Sequence, residues 1–438
     1  MTECKQGLFS FFVKRNLTVD FKGGAISSDA GLLLVRQLDE KLGFTEGLAG
    51  CLDDRRHLSY VKQLQLDILR QRLYQIIAGY EDCNDAESLR HDPVFKGLAG
   101  RLLSDEALAS QPTLSRFEND VTIKELYRVA LYLLKVYLNC KQVPPSRVIV
   151  DIDTTDDEVH GHQQLSFFHG YYEQYIYHPL LVYDGDTGEL ITAVLRPGNV
   201  HASRSVVSIV KRLVQRLRQV FGAVRVVVRG DAGFAVPGLY DYCEAEGLEY
   251  VIGLITNDRL LGSAEELSER VRADYAQSRL KQRRFTETEY QADSWEHPRR
   301  VIIKVEHNDK GINRRFLVTN LNSLPEEAYD FYALRGDCEN RIKELKNDLK
   351  ADRLSCHRFV ANQFRLLLHA AAYALLHALK KYLQGTVLEN AQIGTIRCRL
   401  LKIGAQVVQS CRRLWVHLAG GYPWKRLFLQ LSQQLTVT

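Results

Sequence analysis

The sequence predicts a mixed α/β core set between helical flanks, and three observations carry that prediction. β-branched runs begin abruptly after Pro144-Pro145, amphipathic segments alternate with them, and apolar residues recur at spacings of three and four before and after. Taken in order, residues 29 to 140 read as helices, with apolar stripes in Ala30 to Leu38, His57 to Ala78 and Leu126 to Leu138. Leu108 to Asn119 reads as the end of a helix, a turn at Gln111-Pro112 and a second helix from Thr113. That is helix-turn-helix grammar, with Ser115 and Arg116 at the start of a recognition helix. An ordinary turn between packed helices fits those residues equally well. Arg147 to Asp153, Pro179 to Tyr183 and Glu189 to Leu195 read as three strands, the last two joined by the hairpin chemistry of Asp184-Gly-Asp-Thr-Gly. A helix over 201–221, a strand over Val224 to Arg229, a helix over Gly238 to Glu246 and a strand over Leu248 to Leu254 follow. The order β-β-β-α-β-α-β starts antiparallel and ends with helical crossovers, so the sheet is mixed. Between about 256 and 325, a charged helix and three alternating strands read as a β-rich insertion, and helices are expected from Glu326 to the end. The expected boundaries are therefore 1–145 (mainly helical), 146–255 (first part of the core), 256–325 (insertion subdomain) and 326–438 (a final helical part).

Composition bounds the class. A chain of 438 residues, 45% hydrophobic and 25% charged, can bury a large core in two or three units and is neither collagen-like nor low-complexity. The longest apolar stretch, Leu366 to Leu379, is interrupted by His369 and His377 and is shorter than the roughly 18 to 20 residues of a membrane span, so no membrane partner is expected. Met1 to Lys14 lacks a basic leader and a sustained apolar segment, and nine cysteines without a Cys-x-x-Cys pair fit reduced thiols; a cytoplasmic location is expected. The net charge of +5 is unevenly spread. Asn340 to Thr438 carries sixteen Lys or Arg against four acids, a net +12, and Leu190 to Gly230 carries eight basic residues and no acid. Such blocks suit a polyanion, because neutralised phosphates release counterions; a solvated helix face is the alternative.

Carboxylates supply the candidate chemistry. Asp153 ends the first strand and Asp231 follows the fourth, and groups just beyond the carboxyl ends of strands in an open sheet face ligands from a rigid support. Two such acids suit a hard divalent cation, although an Asp after a strand is more commonly a turn or helix cap. Asp151 shares the period-two face of Asp153, and the pattern alone leaves the two as alternatives. Tyr332, Arg335, Glu339 and Lys346 lie at offsets 0, 3, 7 and 14, within a sector of about 60° on a helix turning about 100° per residue. An exposed Arg335–Glu339 pair would account for two of them but not for the tyrosine or the second cation. His160, His162 and His169 have neither a Cys partner nor a four-residue spacing, so no zinc site is expected, and Tyr171, Tyr172, Tyr175 and Tyr177 read as a strand edge before they read as base-stacking rings.

The pattern Tyr332-x-x-Arg335-x-x-x-Glu339-x-x-x-x-x-x-Lys346 resembles the signature of DDE transposases from bacterial insertion sequences. The likeness extends through Val150-Asp-Ile-Asp-Thr-Thr-Asp-Asp, His160-Gly-His-Gln, Leu195-Arg-Pro-Gly-Asn-Val-His, Arg229-Gly-Asp-Ala-Gly-Phe and Leu89-Arg-His-Asp-Pro-Val-Phe-Lys. Together these are similar to the subfamily called transposase DDE domain group 1 over nearly the whole chain. The resemblance implies an RNase H-like fold with the β-rich insertion before the helix that bears Glu339. It implies Asp153, Asp231 and Glu339 as catalytic residues and ligands of two Mg²⁺ ions, with Mn²⁺ able to substitute, and Tyr332, Arg335 and Lys346 as contacts to the DNA backbone. It prefers Asp153 over Asp151 as the first acid, on the Asp-Thr-Thr run. The implied partner is double-stranded DNA, both terminal inverted repeats and target, bound by a homodimer or larger assembly at the nucleoid, with Arg116 among the DNA-binding residues. An RNase H-like nuclease without strand transfer and a non-catalytic DNA-binding descendant are the competing functions.

Overall fold

The computed structural model describes residues 7–9, 17–141 and 143–436. They divide into two compact units: one of 122–347 and 351–370, the other of the described residues up to Val121, Asp348–Lys350 and those from Ala371 onward.

The first unit is built on one eight-stranded mixed sheet. In chain order its strands are β1 (Arg147–Thr154), β2 (Leu180–Asp184), β3 (Leu190–Val194), β4 (Arg225–Gly230), β5 (Glu249–Leu254), β6 (Gln282–Tyr290), β7 (Arg299–Asn308) and β8 (Gly311–Thr319). Their order across the sheet is β6-β7-β8-β5-β4-β1-β2-β3. β1, β4 and β5 are parallel, and every other pairing is antiparallel. Two crossover helices, α1 (Val206–Phe221) and α2 (Pro237–Ala245), connect β3 to β4 and β4 to β5. α1 forms because Val206, Val210, Leu213, Val214 and Leu217 recur at helical spacing and are buried, while Lys211, Arg212 and Arg216 are exposed.

Period two sorts the sheet into two faces. Val148, Val150 and Ile152 of β1 and Val226 and Val228 of β4 join the α1 and α2 residues in the main core. Val227 of β4, Val251 of β5 and Ile302 of β7 face the other way, into a smaller cluster with Ala328, Tyr329, Phe331 and Tyr332. Helix α3 (Pro325–Ala333) thus lies on the face of β1 that presents Ile149, Asp151 and Asp153, and α4 (Gly336–Lys343) follows it.

Four expectations need correction. The strands between 256 and 325 do not form a separate subdomain: β8 pairs with β5 from Val251 to Leu254, and Val301, Ile303, Val305, Phe316 and Val318 share the main core. Helix Ile123–Asn139 was assigned with the N-terminal helices, but Tyr137 donates to Asp184 of β2 and the helix belongs to the sheet unit. The chain after 326 is not all helical. Ala405–Gln409 and Leu414–Leu418 form a hairpin whose first strand pairs with Ala25–Ser27, so both ends of the chain build the second unit. Finally, the apolar stretch at Leu366 lies in a 23-residue helix, Phe359–Lys381, that is long and apolar enough to cross a membrane, although its most apolar window is 78% buried within the protein.

The helix-turn-helix reading changes as well. Gln111 and Pro112 open the helix Gln111–Asn119 instead of separating two helices, and no helix occupies 99–110. Proline suits a first turn, where its missing N–H has no partner to lose. Arg116 is exposed on this helix and donates to Thr113 Oγ1 at 3.3 Å.

Candidate active site

Strand register brings the strand-end acids together. In the parallel ladders, Gly230 stands opposite Ile152 and Ile252 opposite Gly230, so the next residue on each strand continues a row Asp153, Asp231, Gly253 at the carboxyl edge. Gly253 is required there. A Cβ on it would stand 2.8 Å from the Tyr332 hydroxyl and 2.9 Å from the Ala232 amide. The Asp231 carboxylate accepts from the Gly233 amide at 2.9 Å and caps the short turn Ala232–Phe234.

Arg335 gathers the set. Its guanidinium donates to Asp153 Oδ2 at 3.1 Å and Glu339 Oε1 at 3.2 Å, and stands 5.9 Å from the ring of Tyr332. Burial, with Asp231 and Glu339, pushes the Asp153 carboxyl up to about 7 against the pull of Arg335 and the Thr154 amide. Burial also raises the Tyr332 hydroxyl. Burial opposes the charge on Arg335, but Asp153, Tyr332, Asp231 and Glu339 outweigh it and keep the guanidinium protonated.

The doublet Asp151/Asp153 separates cleanly. Asp151 is fully buried and held by Arg229, with Nε to Oδ1 at 2.5 Å and Nη2 to Oδ2 at 2.7 Å; Arg341 stands 3.6 Å away. The two are direct neighbours in the β1–β4 ladder, and Arg229 also donates to the Phe331 carbonyl at 2.7 Å. The Arg229-Gly-Asp run thus supplies the counterion of one acid and, two residues on, the second site acid. That role for Arg229 was not read from the sequence, where it counted toward a basic run. Arg196 of the same run is buried and donates to the carbonyls of His178, Ala202 and Arg204, and Arg218 and Arg225 pair with Glu246 and Glu249. Lys211, Arg212 and Arg216 remain exposed.

Lys346 does not continue a straight helix from Glu339. The chain turns at Leu334 and Arg335 and widens to a π-turn over Glu344–Asp348, which changes the angular step that the 100° rule assumes. Lys346 Nζ instead donates to Thr155 Oγ1 at 3.1 Å, to the Asp156 carbonyl and to Asp156 Oδ1 at 3.3 Å. Among the tyrosines, Tyr177 is buried and donates to the Gln164 carbonyl, while Tyr171 and Tyr175 are exposed. Burial raises the Tyr172 hydroxyl to about 12, helped by Asp156, Tyr171, Asp153 and Asp231.

The acid set has the chemistry of a hard-cation site, since Asp153 is burdened by two further carboxylates. Among the described residues no three such side chains are closed into a finished metal cage, and Arg335 is the cation that spans Asp153 and Glu339.

No curated protein matches the sequence. The structure is similar to a piggyBac transposase in a synaptic complex with hairpin DNA, at 11% identity over 91% of this chain and 82% of that one, with a TM-score of 0.45. The family model described as transposase DDE domain group 1 matches residues 9–438, and the chain belongs to that family of transposases.

Proposed function

We propose that the protein binds the terminal inverted repeats of its own insertion sequence, hydrolyses DNA at the element's ends and joins the exposed 3′-hydroxyls to target DNA. The observation that carries this is the bridging of Asp153 and Glu339 by the Arg335 guanidinium at the carboxyl edge of the sheet, with Asp231 close enough to push the Asp153 carboxyl up. The order β3-β2-β1-β4-β5, with the first three strands antiparallel, supports an RNase H-like core. Sealing of Asp151 by Arg229 favours Asp153 as the first acid. Asp153, Asp231 and Glu339 would hold Mg²⁺, which when bound activates an attacking hydroxyl and stabilises the leaving oxygen of a phosphodiester. Arg335, beside those acids, and Tyr332 would orient the DNA backbone, and Arg116 would contact the terminal repeat.

The test is to incubate the protein with donor DNA bearing its element's ends, with Mg²⁺ or with EDTA, and to map cuts and joined products. Cuts at the ends and joined products that disappear in EDTA are expected. Cuts without joining would leave a nuclease, and binding without cuts a non-catalytic DNA-binding protein.

A further inference from the structure

The second unit carries an open sheet face that the acid site does not use. Ala405–Gln409 pairs with Leu414–Leu418 on one side and with Ala25–Ser27 on the other, in a three-stranded antiparallel sheet. Period two gives this sheet two faces. Ala405, Val407 and Ser27 are buried on one. The other presents Trp415 opposite Val408, and His417 opposite Gln406, which stands in turn opposite Ile26. Trp415, Val408 and Ile26 are 47%, 41% and 58% exposed. The Trp415 and His417 rings lie within 2° of parallel with centroids 5.9 Å apart, and the Arg413 guanidinium stands 5.7 Å from the Trp415 ring. Ser410 pins the turn beside them. Its amide donates to the Arg413 carbonyl at 2.8 Å, its hydroxyl accepts from the Arg413 amide at 3.1 Å, and Arg412 and Arg413 are left exposed. Residues 390–438 hold seven Lys or Arg and no Asp or Glu. Lys402 pairs with Asp29 and Arg397 donates to the Ile77 carbonyl, whereas the other five cations are exposed.

We propose that this face is a binding site for unpaired DNA, with Trp415 and His417 stacking on bases and Arg412 and Arg413 meeting the phosphates beside them. The inference deepens the functional reading above and rests on it, since strand cleavage leaves DNA ends whose last bases are free to unpair. Three physical arguments select this occupant. An acid-free basic segment attracts a polyanion, whereas a second copy of the same face would set arginines against arginines. Bases inside a duplex are already stacked and offer only their edges, but an unpaired base of any sequence offers a π-face to an aromatic ring. Finally, three strands about 4.8 Å apart, each with about four residues rising about 3.3 Å, make a platform of roughly 10 by 13 Å. That is room for about two or three nucleotides, the number that sheet-borne aromatic rings hold elsewhere.

The test titrates the full-length protein with a short oligo(dT) and with a blunt duplex of unrelated sequence, reading tryptophan fluorescence and the anisotropy of labelled DNA. The chain has three tryptophans, of which Trp295 is buried in the main core; in a Trp424→Phe background, quenching reports Trp415. Oligo(dT) is expected to quench it. Trp415→Ala is expected to weaken oligo(dT) about 10-fold and to leave the duplex unchanged. Arg412→Gln combined with Arg413→Gln is expected to flatten the slope of log affinity against log salt by about 1.4, at about 0.7 per phosphate of a single strand. Unchanged oligo(dT) affinity in Trp415→Ala overturns the proposal, and so does an equal loss on oligo(dT) and duplex. A change from dimer to monomer in Trp415→Ala, with oligo(dT) affinity intact, would assign the face to a second copy of the chain and overturn it as well. Should Trp415→Ala not fold, His417→Ala is read in its place, with the same selective loss expected and its absence decisive against the site. Oligo(dT) binding needs no cleavage, which separates the two failures. Trp415-dependent binding by a protein that cuts nothing supports the site and defeats the functional reading, whereas cutting and joining without quenching does the reverse.

Discussion

Two arginine–carboxylate groups lie two residues apart along β1, and they behave differently. Arg229 and Asp151 are 1% and 0% exposed, joined by two hydrogen bonds with Arg341 3.6 Å from the same carboxylate, and the Phe331 carbonyl accepts from Arg229. Arg335 is 17% exposed and divides itself between Asp153, at 9%, and Glu339, at 53%. The first group sets two guanidiniums against one fully buried carboxylate. The second has more acid than base and opens outward, so added positive charge is welcome there. The two groups thus differ in the ratio of charges and in access, although the pair types are the same.

The comparison can be broken most sharply at the open group. Asp153→Asn, Asp231→Asn and Glu339→Gln are each expected to abolish cleavage while end binding stays near wild type, and EDTA should do the same to the unaltered protein. Near wild-type cutting by any one variant would remove that residue from the site. At the sealed group the expected loss is of stability. Asp151→Asn should cost about 3–5 kcal/mol in denaturant unfolding, because Arg229 is left buried without its anion. A loss below about 1 kcal/mol would show that the pair is more hydrated than its burial indicates.

Smaller effects sharpen the boundary. Gly253→Ala should slow cleavage about 100-fold with a modest stability change, since a methyl at 2.8 Å from the Tyr332 hydroxyl must displace it or Asp231. Arg335→Ala should weaken end binding by about 1.5–3 kcal/mol and raise the Mg²⁺ requirement, read by titrating both. Last comes pH. Because Asp153 is raised in the folded state, its stabilising contribution is complete below the ordinary carboxylate range and is lost as pH rises through about 7. In EDTA, the wild type should therefore lose stability relative to Asp153→Asn between about pH 4 and 7, and parallel curves would disprove the shift.

Much of this was legible in the sequence. The strands at 147–154, 180–184, 190–194, 225–230 and 249–254 follow from β-branched runs and turn chemistry, both local signals, and the strand-end position of Asp153 and Asp231 follows from them. What was not legible depends on pairing across distance. Nothing in Arg229 as a basic residue says that parallel register sets it beside Asp151. The strands at 282–319 looked separate because alternation reveals a strand but not its neighbour. The contact of Lys346 with Thr155 spans 191 positions, and no helical period reveals it.

The pairing of Ala25–Ser27 with Ala405–Gln409 has a consequence for the order in which the protein matures. Ser27 meets Ala405 across 378 positions, so this strand leaves the ribosome long before its partner exists. The sheet that it completes has to wait for nearly the whole chain, and a nascent or prematurely stopped product carries an unmatched edge in that unit. A chain shortened after about residue 385 is, by the same logic, not a transposase with a lighter tail but one lacking a wall, and loss of DNA affinity in such a fragment would report misfolding before it reported lost charge.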